Sequence, residues 1–301
     1  MAANDADLPA DPPPTPADPG GPVRPNEADA NRAARWREDR IGATEARRPS
    51  EQGITRRRLV GTQWTEAELP CQNRLLAALP GEAYARLRPR LEPVELTIKE
   101  LLWEKDEPIR HVYFPLNGVV SMVTVMTDGS SVEVGTVGNE GMAGIPVFLG
   151  ATRAPLRAFS QIPGVALRMS ADDLREELNE NGALRELLHR YTQALFSMLA
   201  QTAACRSTHT ASQRLALWLL MVHDRVAVDR FPMTQEFMAM MLGVRRATVT
   251  EEAGRLQKAR IIDYQRGILT ILDRPALQAR SCECYAVIRG EYDRLLDGLG
   301  D

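Results

Sequence analysis

The segment QEFMAMMLGVRRATV, which begins at Gln235, carries three residues at the spacing that two steeply crossing helices require. Counted from Gln235, the fifth residue is Ala239, the ninth is Gly243 and the fifteenth is Val249. A small residue lets the helices approach, a glycine permits the turn between them, and an apolar residue packs the pair. The spacing therefore predicts a helix-turn-helix whose second helix covers about residues 245–258.

Two adjacent arginines stand at the start of that second helix, where a recognition helix presents side chains to base edges in the major groove. Charge at a helix start often serves solubility, but basic residues there oppose the helix dipole, so helix stability gives no reason for Arg245 and Arg246. Residues 205–274 hold 11 Arg and Lys against 7 Asp and Glu, in a chain whose formal net charge is −3. This local excess fits phosphate binding. The residues predicted to contact DNA are Gln235, Arg245, Arg246, Ala247, Thr248, Thr250, Glu251, Arg255, Lys258 and Arg266.

The region before the helix-turn-helix has the pattern of a β-rich domain. Runs such as VELTI, HVYFP and GVVSMVTVM are separated by turn pairs, among them Asn117-Gly118. Many short strands with frequent turns predict an antiparallel roll or sandwich over residues 71–170. After the helix-turn-helix, IIDYQRGILTILD predicts a small hairpin hinged at Arg266-Gly267, and a last helix is expected at about 275–296.

Cap residues mark the helix starts between these regions. Ser170 precedes an acid at the third position, Asp173, and Asn181-Gly182 is expected to interrupt the helix that follows. Thr234 is well placed to cap the first helix of the helix-turn-helix.

A long apolar stripe follows the interruption. Its residues recur in steps of four and three, which is a heptad seam. Such a stripe is typical of a helix that packs along a partner subunit and equally of a helix in its own core. Its length and its place between two different regions favour a dimer helix within residues 171–207. The residues predicted at the dimer interface are Leu184, Leu188, Tyr191, Leu195, Met198, Thr202 and Cys205.

Residues 1–60 are rich in Pro, Ala, Asp and Arg, a composition that cannot bury enough apolar surface to offset the entropy of ordering, so they are predicted to be a disordered tail. Their start has acids and prolines where a secretion signal has basic residues and an apolar run. The apolar run at 216–222 is far shorter than the roughly 20 residues that cross a bilayer. We expect a cytoplasmic protein that does not enter a membrane.

The order of these regions, with MTQEFMAMMLGVRRATV at their end, resembles the Crp/Fnr family of bacterial transcription regulators over residues 71–280. The resemblance implies an α+β fold: a cyclic-nucleotide-binding-type antiparallel β-roll (double-stranded β-helix), a long dimerisation helix, a winged helix-turn-helix at 208–280 and a C-terminal helix at 281–301. It also implies a homodimer that binds palindromic double-stranded DNA and acts through RNA polymerase. Arg246 matches the family's guanine-contacting arginine, and Thr248 and Val249 match its Thr-Val.

Three positions of the second helix depart from expectation. The family's glutamate after the arginine is Ala247 here, which cannot accept a bond from cytosine N4 but can touch a thymine methyl. Some members carry a second base-reading arginine where this chain has Glu251. Both changes predict an operator half-site that differs from the commonest family sequences. Glu252 stands where the helix packs inward, and Ala253 and Leu256 are expected to supply that packing.

The sequence does not indicate the signal that the β-roll senses. Members that bind cyclic nucleotides use a Gly-Glu pair for the ribose and an arginine with a hydroxyl neighbour for the phosphate. Neither pair is present here, so no cyclic nucleotide is expected. The candidate ligand pocket comprises Gly141, Met142, Arg153 and Arg157.

The cysteines give little support for a metal or cofactor. An iron–sulfur cluster needs several cysteine ligands, and Cys71 alone precedes the dimer helix. A haem ligand at His111 is conceivable, although a lone histidine in a strand is more often structural. Cys205 could form a disulfide with its two-fold mate or serve as a small apolar residue. Cys282 and Cys284 are expected on one helix about 200° apart, a poor metal pair, so no metal is predicted.

One other class of function stays open at this stage: a ligand-binding or protein-interaction module whose winged helix grips a protein partner. An enzyme is the weakest interpretation, because no nucleophile–base pair or phosphate loop stands at a recognisable spacing.

Overall fold

The computed structural model describes residues 72–127, 129 and 131–296, so the predicted tail at 1–60 and Cys71 lie outside the described residues. The elements up to the end of the roll are α1 (Arg74–Ala77), α2 (Gly81–Leu87), a 3₁₀ turn (Arg88–Arg90), β1 (Glu92–Leu96), β2 (Leu101–Trp103), β3 (His111–Pro115), β4 (Val119–Val125), β5 (Ser131–Val137), α3 (Ile145–Phe148), β6 (Arg157–Ile162) and β7 (Gly164–Ser170). The later elements are α4 (Ala171–Glu180), α5 (Gly182–Thr208), α6 (Ala211–Val226), β8 (Arg230–Pro232), α7 (Gln235–Leu242), α8 (Arg246–Lys258), β9 (Ile262–Gln265), β10 (Ile268–Ile271), α9 (Arg274–Arg280) and α10 (Cys284–Leu296).

The first domain is an antiparallel β-roll made from two sheets. One sheet has the order β1-β7-β3 and the other β2-β6-β4-β5. Because residues on a strand alternate between faces, each sheet turns one apolar row inward. Phe114, Val120, Ala158 and Ala166 from both sheets are fully buried in this way. The α+β class and the β-roll predicted from the strand pattern are confirmed.

Two caps fix the starts of α4 and α5 at the predicted places. The Ser170 hydroxyl accepts a bond from the backbone N–H of Asp173 at 3.0 Å. The Asn181 side chain accepts one from the N–H of Leu184, also at 3.0 Å. Each cap satisfies an N–H that has no partner inside its helix, which fixes where the helix starts.

The second domain is a winged helix-turn-helix. Helices α6, α7 and α8 surround an apolar core, and a small sheet of order β8-β10-β9 lies beside them. Leu219, Leu220 and Leu269 are fully buried there. None of the helices among the described residues is both long enough and apolar enough to span a bilayer.

The seam on α5 packs inside its own chain, which corrects its assignment to the dimer interface. Helix α10 returns from the second domain and lies along α5, with the rings of Tyr191 and Tyr292 centred 6.4 Å apart. A side chain that is already buried in one chain has no surface left for a partner. The assigned residues that are buried are Leu184, Leu188, Tyr191, Leu195, Met198 and Cys205, while Thr202 is half-buried.

A different stripe of α5 faces outward. Its exposed residues also recur in steps of four and three, so the helix has two faces of the same period. Phe196 lies at the centre of this face with 67% of its surface exposed. The stripe, called here the outer face of α5, consists of His189, Gln193, Phe196, Ala200 and Ala203.

The predicted last helix over 275–296 is wrong, because the chain breaks it in two. Helix α9 ends at Arg280, and Ser281 leaves the helical conformation with φ −77° and ψ 167°. Helix α10 starts at Cys284, so Cys282 lies in the break. The two cysteines of this segment therefore do not share one straight helix.

Candidate nucleic-acid interface

The helix-turn-helix is built as its spacing predicts. The Thr234 hydroxyl caps α7 by accepting from the N–H of Phe237 at 3.2 Å. Gly243 ends α7 with φ +62°, a conformation that favours glycine, and the chain re-enters a helix at once. Ala239 and Val249 are buried between the two helices. This packing sets α8 at a fixed angle on α7.

The exposed face of α8 carries most of the residues predicted to contact DNA. Helix α8 has Arg245 as its N-cap residue, so both arginines stand at its first turn. Gln235 on α7 is half-buried beside the start of α8, and Thr248 is half-buried on α8 itself. The exposed members of the predicted set are Arg245, Arg246, Ala247, Thr250, Glu251, Arg255, Lys258 and Arg266.

Hydrogen bonds connect this face to α7. An Arg246 Nη1 atom lies 2.9 Å from Glu236 Oε1, and the Arg246 side chain keeps 62% of its surface exposed. The Thr250 hydroxyl donates to Gln235 Oε1 at 2.9 Å. Glu236 was not predicted to contact Arg246. The signal that could have indicated it is an acidic residue directly after Gln235, which was predicted to contact DNA. An exposed ion pair of this kind contributes little stability and is easily broken. It therefore orients Arg246 and still leaves the guanidinium able to bind a ligand.

The unusual glutamate lies on the inner side of α8. Glu252 is buried, and its Oε1 atom lies 2.9 Å from Arg255 Nη1. Its Oε2 atom has no hydrogen-bond partner among the described residues. Ala253 and Leu256 are each 2% exposed and supply the inward packing, as expected.

The predicted hairpin is present as β9 and β10, and it forms the wing. Its turn consists of Arg266 with φ +49° and Gly267 with φ +77°, the conformation of a tight two-residue hairpin turn. Because both residues have positive φ, the turn reverses the chain sharply and leaves Arg266 exposed at the tip.

Two arginine side chains, the buried Arg225 and the half-buried Arg206, join the β-roll to the winged helix. Arg225, at the end of α6, bonds to Glu140 in the roll, with Nη2 and Oε1 2.7 Å apart. Arg206, near the end of α5, donates from Nη2 to the carbonyls of Glu133 at 2.6 Å and Met241 at 2.9 Å. Sequence reasoning missed both, because these residues are far apart along the chain.

A titratable carboxyl lies at the same junction. Burial raises the pKa of Glu133 to about 7, while a hydrogen bond from Ser121 and the charges of Arg225 and Arg206 act in the opposite direction. Between pH 4.5 and 7 this side chain is therefore largely protonated in the folded chain.

The candidate ligand pocket of the roll is filled by protein at one end. A Cβ atom at Gly141 would lie 2.2 Å from the Tyr191 ring, and Met142 is fully buried. The two arginines are engaged elsewhere: Arg153 Nη1 donates to the Asp106 carbonyl at 2.6 Å, and Arg157 Nε lies 2.8 Å from Glu104 Oε1. The structure therefore does not present these four residues as one open pocket.

Comparison with known proteins follows the same division of the chain. A model of the cyclic nucleotide-binding domain matches residues 93–181, and a model of the Crp-like helix-turn-helix domain matches residues 213–280. The chain belongs to the Crp/Fnr family of transcription regulators. It has the architecture of that family, a sensor-type roll, a long helix and a DNA-binding winged helix, and regulators of this family bind DNA and act as dimers.

Solved structures of regulators have the same fold. FixK2 from Bradyrhizobium japonicum is 18% identical, with a TM-score of 0.55, over 64% of this chain and 98% of that chain. A CRP-family transcriptional regulator from Thermus thermophilus is 18% identical, with a TM-score of 0.53, over 62% and 96%. The c-di-GMP responsive global regulator CLP of Xanthomonas campestris is 10% identical, with a TM-score of 0.53, over 64% and 99%. No protein with a curated description matches the chain.

Proposed function

We propose that the chain binds a palindromic operator as a homodimer, and that each subunit reads one half-site with α8. The observation that carries this proposal is the exposed first turn of α8, where the accessible guanidinium of Arg246 is oriented by Glu236. A guanidinium in this position can bond to guanine O6 and N7 together, which discriminates by roughly 1–3 kcal/mol against a wrong base.

The other exposed residues divide into base readers and phosphate contacts. Ala247 offers a methyl group to thymine, and Glu251 stands on the base-facing side, where it disfavours the half-site that a second arginine would read. Arg245, Lys258 and the wing residue Arg266 contact phosphates, since positive charge on exposed side chains positions a protein on DNA without reading sequence.

The dimer forms through the outer face of α5. Phe196 is an exposed aromatic residue at the centre of this stripe. The small residues beside it let two helices approach closely. A two-fold axis at this face relates the two copies of α8, and half-sites about one helical turn apart, roughly 34–36 Å, follow from that symmetry.

The transcriptional effect acts through RNA polymerase in the cytoplasm, as the family's architecture implies. We also propose that cyclic nucleotide is not the signal. The Tyr191 ring occupies the space beside Gly141, and the arginine–hydroxyl pair of the cyclic-nucleotide-binding members is missing. A protein partner in place of DNA is not favoured, because the α8 face has the exposed arginines that base reading needs.

Selection of binding sites from a random DNA pool tests the proposal. The expected product is a palindrome whose half-sites differ from the commonest family sequences, and Arg246→Ala is expected to relax the choice at one guanine position in each half-site. The control is Arg175→Ala, which removes an exposed arginine paired to Asp172 at 2.6 Å on α4. It should leave both affinity and sequence choice unchanged.

The salt dependence of DNA affinity separates sequence-specific base contacts from non-specific attraction to phosphates. Lys258→Ala is expected to weaken binding to all sequences alike and to reduce the slope of log affinity against log salt by about 1 for each phosphate that the variant no longer neutralises. If the chain binds no DNA at low salt, or if Arg246→Ala binds with unchanged sequence choice, the proposed reading is refuted.

A further inference from the structure

Three cysteines and a histidine meet at the junction of α5, α9 and α10. Cys205 and His209 come from the last turn of α5 and the residue after it, while Cys282 lies in the break between α9 and α10 and Cys284 is the first residue of α10. Their sulfur and nitrogen atoms all lie within 4.8 Å of one another. The three thiols are buried, and the imidazole is 16% exposed.

We propose that these four residues form a mononuclear Cys₃His site for zinc. With Zn–S bonds of about 2.3 Å and Zn–N bonds of about 2.0 Å, tetrahedral coordination separates two sulfurs by about 3.8 Å and a sulfur from a nitrogen by about 3.5 Å. The Cys205 and Cys282 sulfurs are 3.6 Å apart. The Cys284 sulfur is 3.6 Å from His209 Nδ1. Both distances fit one ion at the centre of the cluster.

Two further side chains are placed as partners of the ligands. His209 Nε2 lies 3.2 Å from Glu283 Oε2, so the carboxylate can hold the ring with Nδ1 directed at the metal. Gln201 Nε2 donates to the Cys284 sulfur at 3.0 Å, which stabilises the charge of a thiolate. A carboxylate behind a histidine ligand is the arrangement that metal sites commonly use to fix the imidazole tautomer.

Neither a disulfide nor an iron–sulfur cluster accounts for the whole of this geometry. A disulfide between Cys205 and Cys282 would need the sulfurs about 2.05 Å apart and would leave the other two residues without a role. An iron–sulfur cluster distributes its ligands over several iron ions, whereas these four atoms lie within 4.8 Å of one another, a set that a single ion can span. Thiolate and imidazole ligands in a tetrahedral set select zinc among the common divalent ions.

The ion would cross-link two parts of the chain that are distant in sequence. Cys205 and Cys282 are 77 residues apart in sequence, and the site joins the end of α5 to the start of α10. On binding, each cysteine releases its proton to solvent and supplies a sulfur electron pair to the ion, and nothing is oxidised or reduced.

Metal content of the full-length chain gives the first test. After incubation with Zn²⁺ and removal of the excess, the expected content is one zinc per chain. Cobalt replacing zinc is expected to show thiolate-to-metal charge-transfer absorption and the strong visible bands of a tetrahedral ion. A folded chain that retains less than a fifth of an equivalent, or a cobalt complex without thiolate absorption, overturns the proposal.

Variants locate the site. Cys284→Ser and His209→Ala are expected to lose the ion, His209→Cys to retain it as a Cys₄ site, and Glu283→Gln to bind about 10–100-fold more weakly. Cys71→Ser is the matched control, since Cys71 is the one cysteine of the sequence that the proposal does not use as a ligand, and it should keep one zinc. Retention of a full equivalent by Cys284→Ser refutes the assignment.

Thiol reactivity tests the site in the wild-type chain, so the result does not depend on whether a variant folds. In the native zinc-loaded chain, three of the four thiols are expected to resist a thiol reagent until a chelator is added. Equal reactivity with and without chelator contradicts the site.

Discussion

Replacement of Arg225 by methionine is expected to destabilise the chain by about 3–5 kcal/mol. The Arg225 guanidinium donates from Nε to both oxygens of Glu140 at 3.0 Å and from Nη2 to Oε1 at 2.7 Å. The two side chains are only 5% and 7% exposed. Methionine fills much of the same space but leaves the Glu140 carboxylate buried without its counter-charge.

The magnitude follows from that orphaned charge rather than from the sum of three bonds. A buried pair roughly balances desolvation against attraction, so removal of both charges costs much less than removal of one. The double variant Glu140→Gln with Arg225→Met is therefore expected to recover most of the loss. The matched control is Arg175→Met, whose exposed pair with Asp172 is expected to change stability by less than about 1 kcal/mol.

Urea unfolding followed by tryptophan fluorescence and circular dichroism measures these differences. A free energy of unfolding of Arg225→Met within about 1 kcal/mol of the wild type would contradict this prediction. A double variant no more stable than the single variant would show that the stranded carboxylate is not the cause.

Two further predictions concern pH and assembly. Since burial raises the pKa of Glu133 to about 7 from an ordinary 4.5, its contribution to stability is present below pH 4.5 and is lost as pH rises to 7. Unfolding of wild type and Glu133→Gln compared across this range should show the wild type losing about 3 kcal/mol relative to the variant, and parallel curves would contradict the shift. Phe196→Asp places a charge on the outer face of α5 and is expected to raise the dimer dissociation constant, measured by sedimentation, by at least about 10-fold. The control Ile98→Asp, at an exposed apolar residue between β1 and β2, should leave that constant unchanged, and an unchanged dimer in Phe196→Asp would exclude this face.

The helix-turn-helix was predictable because its determinants are local. Ala239, Gly243 and Val249 act within one short segment, and Thr234 caps the helix beside it, so their spacing alone specifies the turn. The caps at Ser170 and Asn181 are local in the same sense.

The partner of the α5 seam was not predictable in this way. A heptad pattern records which face of a helix is apolar, but it does not record whether the covering helix belongs to the same chain. Here Tyr191 meets Tyr292, which comes from α10 beyond the whole winged helix.

The cysteine cluster and the Glu140–Arg225 pair were missed for a related reason. The cluster brings together two short pairs, Cys205 with His209 and Cys282 with Cys284, that are about 77 residues apart in sequence. Glu140 and Arg225 are 85 residues apart, so neither contact can be read from a local pattern. The break at Ser281 also mattered, because a continuous helix would have held Cys282 and Cys284 on different sides.

Helix α10 has a consequence for how subunits associate. By covering the apolar seam of α5 from within the chain, it leaves a free subunit with its core intact, and in the proposed dimer separation of the two subunits would expose the outer face around Phe196. Such a monomer can persist on its own, so the proposed dimer is governed by mass action. A palindromic operator that holds two subunits side by side would then itself drive their pairing, and the concentration of the chain would set how sharply the DNA site fills.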